Sequence, residues 1–400
     1  MRFSMSLILT GLVLSGVSTA SSAFSGFEDV VKKKVLFADE YSRDLETVAE
    51  RDRKSSWLPT SPTVSYSSND NHSWRAWSLT TSVPLPIKSA YRDSYQAANA
   101  KYLRSGALSV KHEVLRNTVE LFLECSVPFE MTKLIEQSLK DQSIIASITA
   151  SLYATGSIPQ ADRVASELQL RQLNAQVRMQ KEMAEVGCEK WQQWSGGEMD
   201  EKNFEIQSDI SQATLVEIGI AQNPRKDLLK NKLESLALNR QSLWAKYIPD
   251  LEVGVAKNNY FDLYLSGGPP VKYTYSWTVG IKLPFNFPFY DNTEFRRESA
   301  DIGIEKLRTQ FEKNEADKAW LQARKDWKRI SERLQEISGK DLALAEAFVE
   351  GSIASYRSGK VGLADLVLAR KTRLELKIEE INLKAQKLLA KSICLTECEN

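Results

Sequence analysis

The segment "YIPDLEVGV" (residues 247–255) leads into "KYTYSWTVGIKLPFNFPFYDN" (residues 272–292), a β-rich stretch whose plan occurs twice in the chain. Trp57-Leu-Pro59 answers Tyr247-Ile-Pro249, and "SLTTSVPLPI" answers "SWTVGIKLPF". Ser78 matches Ser276 and Pro86 matches Pro284, each at an offset of 198. The chain is therefore an internal duplication.

Working outward, residues 57–88 and 247–292 read as two β-hairpins. In the first, Thr63 to Ser68 and Trp74 to Val83 are short strands joined by the polar turn Asn69-Asp-Asn-His72. Serines and threonines alternate there with Val64, Tyr66, Trp74 and Leu79, a pattern shared by a lipid-facing strand with interfacial aromatics and by a soluble hairpin. Each hairpin leaves through prolines into a long helical stretch. From Ser89 to Tyr153 the composition is helical apart from Gly106 and Pro128, and a kink is expected at the proline. Ala154 to Gln160 breaks the helix, which returns over Ala161 to Val186, so residues 89–186 form one antiparallel helical hairpin.

Residues 187–246 are expected to hold a loop at Gly187 to Lys202, helix from Ser211, a break at Asn223-Pro224, and a leucine-bearing helix rising to the second β-hairpin. Residues 293–400 repeat the plan with a single helix from Thr293 to Tyr356, a turn near 357–363 and a last helix to the C-terminus. Leu374, Ile378, Ile381, Ala385, Leu388 and Leu395 in that helix step by four and three, which lays it along a partner in coiled-coil fashion. The two helix breaks also match: Tyr153, Gly156, Ala161 and Asp162 correspond to Tyr356, Gly359, Ala364 and Asp365 at an offset of 203.

The N-terminus reads as an export signal over residues 1–23, with Arg2, an apolar run from Leu7 to Val17 and the small-residue site Ser21-Ser-Ala23. A charged helix over residues 24–56 follows and is expected to be exposed or loosely packed. No later run is apolar enough for a transmembrane helix, so membrane residence would require a β-barrel. Fifty-three basic against 52 acidic residues give a net charge of +1, which supplies no footprint for nucleic acid. With His72 and His112 the only histidines, and no glycine-rich phosphate loop, no constellation for catalysis, cofactor or metal is expected.

Two strands of about ten residues per repeat have the length to cross an outer membrane when tilted. Four strands cannot close a barrel, because about eight is the smallest bacterial number. Open sheet edges are forbidden in hydrocarbon, so several copies must pool their strands. The strand count alone permits a dimer, trimer or tetramer.

A duplicated unit of proline-flanked β-hairpin and long helical hairpin, after an export signal, resembles the TolC family of outer-membrane efflux proteins. The motifs that carry the likeness are "NPRKDLLKNKLESLALNRQSLWAKYIPDL", "YATGSIPQAD" and "YRSGKVGLADLVLARKTRLEL". The resemblance implies a mainly α protein with a membrane β part, a homotrimer whose twelve strands form one barrel continuous with a helical periplasmic tunnel. It implies residence in the outer membrane, against lipid, and partnership with a periplasmic adaptor and an inner-membrane pump. By the same likeness Tyr153, Gly156, Tyr356, Gly359 and Lys360 belong to tip turns facing the adaptor, and Asp162 and Asp365 sit just inside the entrance.

A carboxylate repeated around a threefold axis makes a ring that attracts cations. Each aspartate also stands where a helix N-terminal acid would favour the dipole without gating anything. A second aspartate that some members of the family carry three residues after the one matched by Asp365 is Leu368 here, which thins any acidic ring. Trp74, Trp77, Tyr260, Phe261, Tyr264, Tyr273, Tyr275 and Trp277 are assigned to a barrel girdle. Cys125 lies 156 − 125 = 31 residues before Gly156 and Cys188 lies 188 − 156 = 32 after it, so an antiparallel hairpin sets them at one height for a disulfide. Cys394 and Cys398, one helical turn apart, are poorly placed for a disulfide in an intact helix, and a frayed tail is expected there rather than a metal site.

The leading expectation is a passive exit duct for small molecules or metal cations, toward which the "VPLPI" and "LPFNFPFYDN" exits tilt the resemblance. Two others stand beside it: the outer-membrane component of a type I protein secretion system, and a non-conducting coiled-coil scaffold of the envelope.

Overall fold

The computed structural model describes residues 27–55, 62–68, 74–196, 206, 210–220, 223–260, 273–283, 293–358 and 360–398. The export signal, Trp57-Leu-Pro59, the turn at Asn69 to His72, Phe261, Tyr264, the exit at 284–292 and Gly359 lie outside these residues.

Helix α1 (Phe27–Ser55) leads to strands β1 (Thr63–Ser68) and β2 (Trp74–Pro84), then to the helical hairpin α2 (Pro86–Ala154) and α3 (Gln160–Ser195). Short α4 (Gln212–Glu217) and α5 (Pro224–Ser242) connect to β3 (Asp250–Tyr260) and β4 (Tyr273–Lys282). The second descent is α6 (Thr293–Glu336), a π-helical turn (Ile337–Asp341) and α7 (Leu342–Arg357), and α8 (Leu363–Cys394) returns.

Helix α2 runs 69 residues without interruption, roughly 100 Å, through both Gly106 and Pro128. Helix α3 likewise continues past Gly187, where a loop was expected, and stops only at Gly196, whose φ of 75° supplies a left-handed cap. The glycine at 187 serves close approach: an added Cβ would collide with the carbonyl of Glu124 on α2. Cys125 and Cys188 are joined beside it, their Cα atoms 4.4 Å apart.

The long helix expected from Thr293 to Tyr356 is helical throughout but carries a π turn at Ile337–Asp341. Between strand and tip the repeat offset grows from 198 to 203, so the second repeat holds 203 − 198 = 5 more residues. A π turn takes up one extra residue without ending the helix, and so accounts for one of them.

The four strands form one antiparallel sheet in the order β1-β2-β3-β4, the β2–β3 pair joining the two hairpins. Alternation divides it into two faces. Tyr66, Trp77, Val255 and Trp277 share one face across the register, as do Leu251, Val253, Val279 and Ile281. On that face Trp277 is 76% and Val279 74% exposed. The alternate positions carry Ser65, Ser78, Thr80, Gly254, Ala256, Ser276 and Thr278. Trp77, Tyr273, Tyr275 and Trp277 of the expected girdle share the apolar face.

At the junction of sheet and helices, buried Lys88 in the first turn of α2 donates to Asp250 Oδ2 at 2.8 Å and to the carbonyl of Ile248 at 3.3 Å. Further along, Phe27, Val30, Val31 and Val35 of α1 pack against Leu115, Val119 and Phe122 of α2, with Leu388 and Leu395 in the same cluster. The first half of α1 is thus core rather than loosely packed. Its apolar residues recur at i, i+3, i+4 and i+8 among lysines and acids that hide the stripe from composition.

The C-terminal tail also differs from expectation. Helix α8 ends at Cys394, Leu395 takes a positive φ of 54°, and the turn brings Cys398 back to a Cα separation of 5.3 Å, where the two cysteines are bonded. Both are buried, so this end is stapled into the core and not frayed.

Candidate functional site

The far ends of the two helical hairpins hold most of the residues singled out in the sequence. At the first tip the amide of Gly156 donates to Tyr153 O at 2.9 Å and that of Ser157 to Leu152 O at 2.9 Å. With Gly156 at φ 75°, this is the paired-bond termination that satisfies the last carbonyls of a helix. The second tip repeats the pattern at the same offset of 203, Lys360 donating to Ser355 O at 2.9 Å. Ser358 donates to Ala354 O at 3.1 Å, as Thr155 does to Ser151 O at 3.2 Å. Even the hydroxyls agree, Thr155 Oγ1 reaching Leu152 O and Ser358 Oγ reaching Ser355 O.

The helices that leave the tips also start in phase. Asp162 is the third residue of α3 and Asp365 the third of α8, after Pro159 and Gly362, neither of which caps through a side chain. Both carboxylates therefore lie in the first turn, where the exposed amide groups favour negative charge. Their surroundings differ. Asp365 is exposed, whereas Asp162 is half-buried and close enough to Tyr356 for its charge to act on the phenol. Burial first, and the Asp162 charge second, push the Tyr356 phenol above its ordinary value.

Tyr356 packs with Ile353 and Val367 against buried Ile145, Leu363 and Leu366, which locks the two hairpins together at this end. Its hydroxyl is buried with no hydrogen-bond partner among the described residues. Tyr153 is set apart from that cluster, with the Arg163 guanidinium 5.2 Å over its ring. Lys360 is exposed, and so is Leu368. The structure thus brings Asp162 near Tyr356, leaves Asp365 and Lys360 exposed at the tips, and holds Tyr153 half-buried beneath Arg163.

A second layer between the hairpins was not read from the sequence. Asp141 of α2 lies 3.5 Å from Arg373 and 4.0 Å from Arg370, both on α8. Only the spacing of the two arginines was visible in the sequence, because their partner lies in the other repeat. Among the described residues no group of three or more His, Cys, Asp or Glu could hold a metal ion.

Neither protein-family models nor curated protein sequences match the chain. Solved structures do. The outer-membrane channel OprN superposes over 93% of this chain and 89% of its own with a TM-score of 0.69, at 12% identity. The outer membrane protein VceC of Vibrio cholerae covers 92% of this chain and 94% of its own at a TM-score of 0.68 and 10% identity. The CmeC outer membrane channel of Campylobacter jejuni covers 96% and 90% at a TM-score of 0.64 and 14% identity.

The chain has the outer-membrane channel fold. That fold takes in both repeats at once, so the duplication, the shared sheet and the two hairpins are parts of one architecture rather than separate domains. The channel fold also places the apolar sheet face and the tips at opposite ends of the long helices, about 100 Å apart by the length of α2.

Proposed function

We propose that this protein is a passive exit duct of the outer membrane, built by three copies of the chain. The observation that carries the reading is the sheet: one face mainly apolar and largely solvent-exposed from Tyr66 to Ile281, with Lys257 lying against the tyrosines Tyr273 and Tyr275, the other face lined mainly by hydroxyls, alanine and glycine with Glu252 among them, and β1 and β4 left as open edges. A soluble scaffold gains nothing from an exposed stripe of Tyr273, Tyr275, Trp277, Val279 and Ile281, which is an aggregation hazard in water. In a bilayer the same stripe is the lipid contact. Strands β2, β3 and β4, of 11, 11 and 10 residues, have the length for a tilted crossing.

Unpaired backbone groups at the edges cannot face hydrocarbon, so β4 of one copy pairs with β1 of the next. Three copies give twelve strands, and their helical hairpins form a tunnel continuous with the barrel. In this reading residues 57–88 and 247–292 are the staves, 89–186 and 293–400 the tunnel hairpins, and 187–246 the connecting belt with its ascending helix.

Gly156, Gly359, Tyr153, Tyr356 and Lys360 then form the turns that meet a periplasmic adaptor, which couples the duct to an inner-membrane pump. Asp162 and Asp365 line the entrance, Asp162 near enough to Tyr356 for its charge to act on the phenol. The cargo class is small molecules or metal cations, set by the pump rather than by the duct.

The test is conductance. The purified chain reconstituted in planar bilayers is expected to give stable, uniform pores and to migrate as a trimer in mild detergent. A pure trimer that never conducts would instead identify a scaffold, and a detergent-free soluble monomer would remove the membrane assignment altogether.

A further inference from the structure

We propose that the polar layer between α2, α3 and α8 is a binding site for one small anion, a carboxylate or an oxyanion, held by Arg370 and Arg373. The layer is sandwiched between two apolar clusters, Ile135, Leu173 and Val177 above and Ile145, Leu363 and Leu366 below. Between them lies a cavity of about 160 Å³ lined by Asp141, Gln142, Gln169, Gln172, Arg370 and Arg373.

Three observations point to an anion. First, Nε and Nη1 of Arg370 are buried, yet no protein acceptor reaches them, and its ion-pair partner Asp141 stands at 4.0 Å, beyond hydrogen-bond length. A buried guanidinium N–H without an acceptor is costly. Second, the charge does not balance. Lys371 is answered by Glu375 at 3.7 Å, but the single carboxylate of Asp141 serves both arginines, which leaves one positive charge over. Third, the remaining lining is rich in amide side chains that can donate to oxygen: Gln142 already spends its amide on Ser166, whereas Gln169 and Gln172 face the same cavity from α3.

The fork of a guanidinium suits a bidentate oxyanion, and burial holds Arg370 below its usual basicity, with Asp141 acting against that shift and Arg373 with it. An anion here would brace the first hairpin against α8 about midway between the tips and the disulfide-stapled core. The proposal is independent of the duct reading, since it concerns packing within one chain.

The experiment is equilibrium dialysis of radiolabelled inorganic sulfate against the full chain in detergent at low ionic strength. One saturable site per chain is expected. Arg370→Gln should weaken it about tenfold, and Asp141→Asn should tighten it about tenfold, because the competing carboxylate is gone. The second variant matters most, since an anion site gains from it whereas a purely structural ion pair only loses a partner. Absence of saturable binding in both the parent and Asp141→Asn, or binding indifferent to both substitutions, would overturn the assignment, as would weaker binding in Asp141→Asn.

Discussion

Gly187 shows how much one absent Cβ decides. Its helix lies so close to α2 that the Glu124 carbonyl occupies the space a side chain would need, and a backbone oxygen cannot swing away as a side chain can. Gly187→Ala should therefore destabilise the protein by about 1–3 kcal/mol through overpacking, although alanine is the better helix former. Thermal unfolding under oxidising conditions checks this; an unchanged midpoint would mean that the hairpin can open without penalty. His112 makes a different residue-scale case. It is half-buried on α2 with Nε2 2.8 Å from the carbonyl of Ser392, and desolvation of the ring holds its pKa below the ordinary 6.5, with Arg116 and Arg225 acting in the same direction and the Ser392 carbonyl against it. A lowered folded value means that the unfolded chain takes up the proton first as pH falls. The contribution of His112 is then complete above pH 6.5 and is lost as pH drops from there toward the folded value. The urea midpoint should fall between pH 7.5 and 5.5, and His112→Gln should flatten that part of the profile. An equal fall in both proteins would assign the pH dependence to other groups.

At the scale of elements, the π turn is the departure from regularity with the clearest consequence. Arg333, in the last turn of α6, reaches Asp341 across the π turn at 3.0 Å and Glu379 on α8 at 3.0 Å, so the insertion fixes how α7 and the tip are phased against the helix beside them. Ile337 at the start of the turn is fully buried, whereas a Cβ on Gly339 would meet nothing within 4 Å. Gly339→Ala should leave stability within about 0.5 kcal/mol of the parent or slightly improve it. Deleting Gly339 lets the π turn revert to plain helix and keeps what lies beyond it in phase, because the turn takes up one extra residue. Deleting Gly351, in the regular helix of α7, rotates everything beyond it by about 100° and turns Tyr356 out of its cluster with Ile145 and Leu366. Limited proteolysis of the tip reads the difference: the Gly351 deletion should be cut well before the parent and the Gly339 deletion should not, and equal loss of resistance in both would show that the π turn does not absorb a residue. Element boundaries were also where the sequence was hardest to read. The tips were legible because Tyr153 to Asp162 recurs as Tyr356 to Asp365, and the strands because they recur as well. The loop expected at Gly187 was not there, since a glycine required for close approach and a glycine that ends a helix look alike until the neighbouring helix is placed. Leu395 gave no sign that it would break α8 and bring Cys394 to Cys398, because leucine rarely takes a positive φ.

For the whole molecule, the duplication made the fold legible while the pairing between repeats did not follow from either repeat alone. Asp162 of one hairpin meets Tyr356 of the other, Asp141 meets Arg370 and Arg373, and β2 meets β3, all contacts that join the two halves. The two-faced sheet is their joint product. Its alternation is imperfect in the first hairpin read alone and becomes clear only when four strands are set in register. That register yields a paired test on adjacent residues of one strand. Val279 lies on the apolar face and is 74% exposed, while Thr278 lies on the hydroxyl face beside Gly254, where a Cβ would come within 2.6 Å of the threonine Oγ1. If the apolar face meets lipid, Val279→Arg places a charge in hydrocarbon at a cost of about 2–4 kcal/mol near the midplane and should sharply reduce the amount recovered in the outer membrane. If the hydroxyl face lines a lumen, Thr278→Arg keeps its charge in water and should insert normally, while lowering single-channel conductance and shifting selectivity toward anions, since the cyclic assembly repeats the new charge around the pore. The two positions are neighbours of similar size and strand propensity, so a general defect in folding would affect both. Equal insertion of both variants, or a conductance change confined to Val279→Arg, would reverse the assignment of the faces and with it the direction in which the barrel closes.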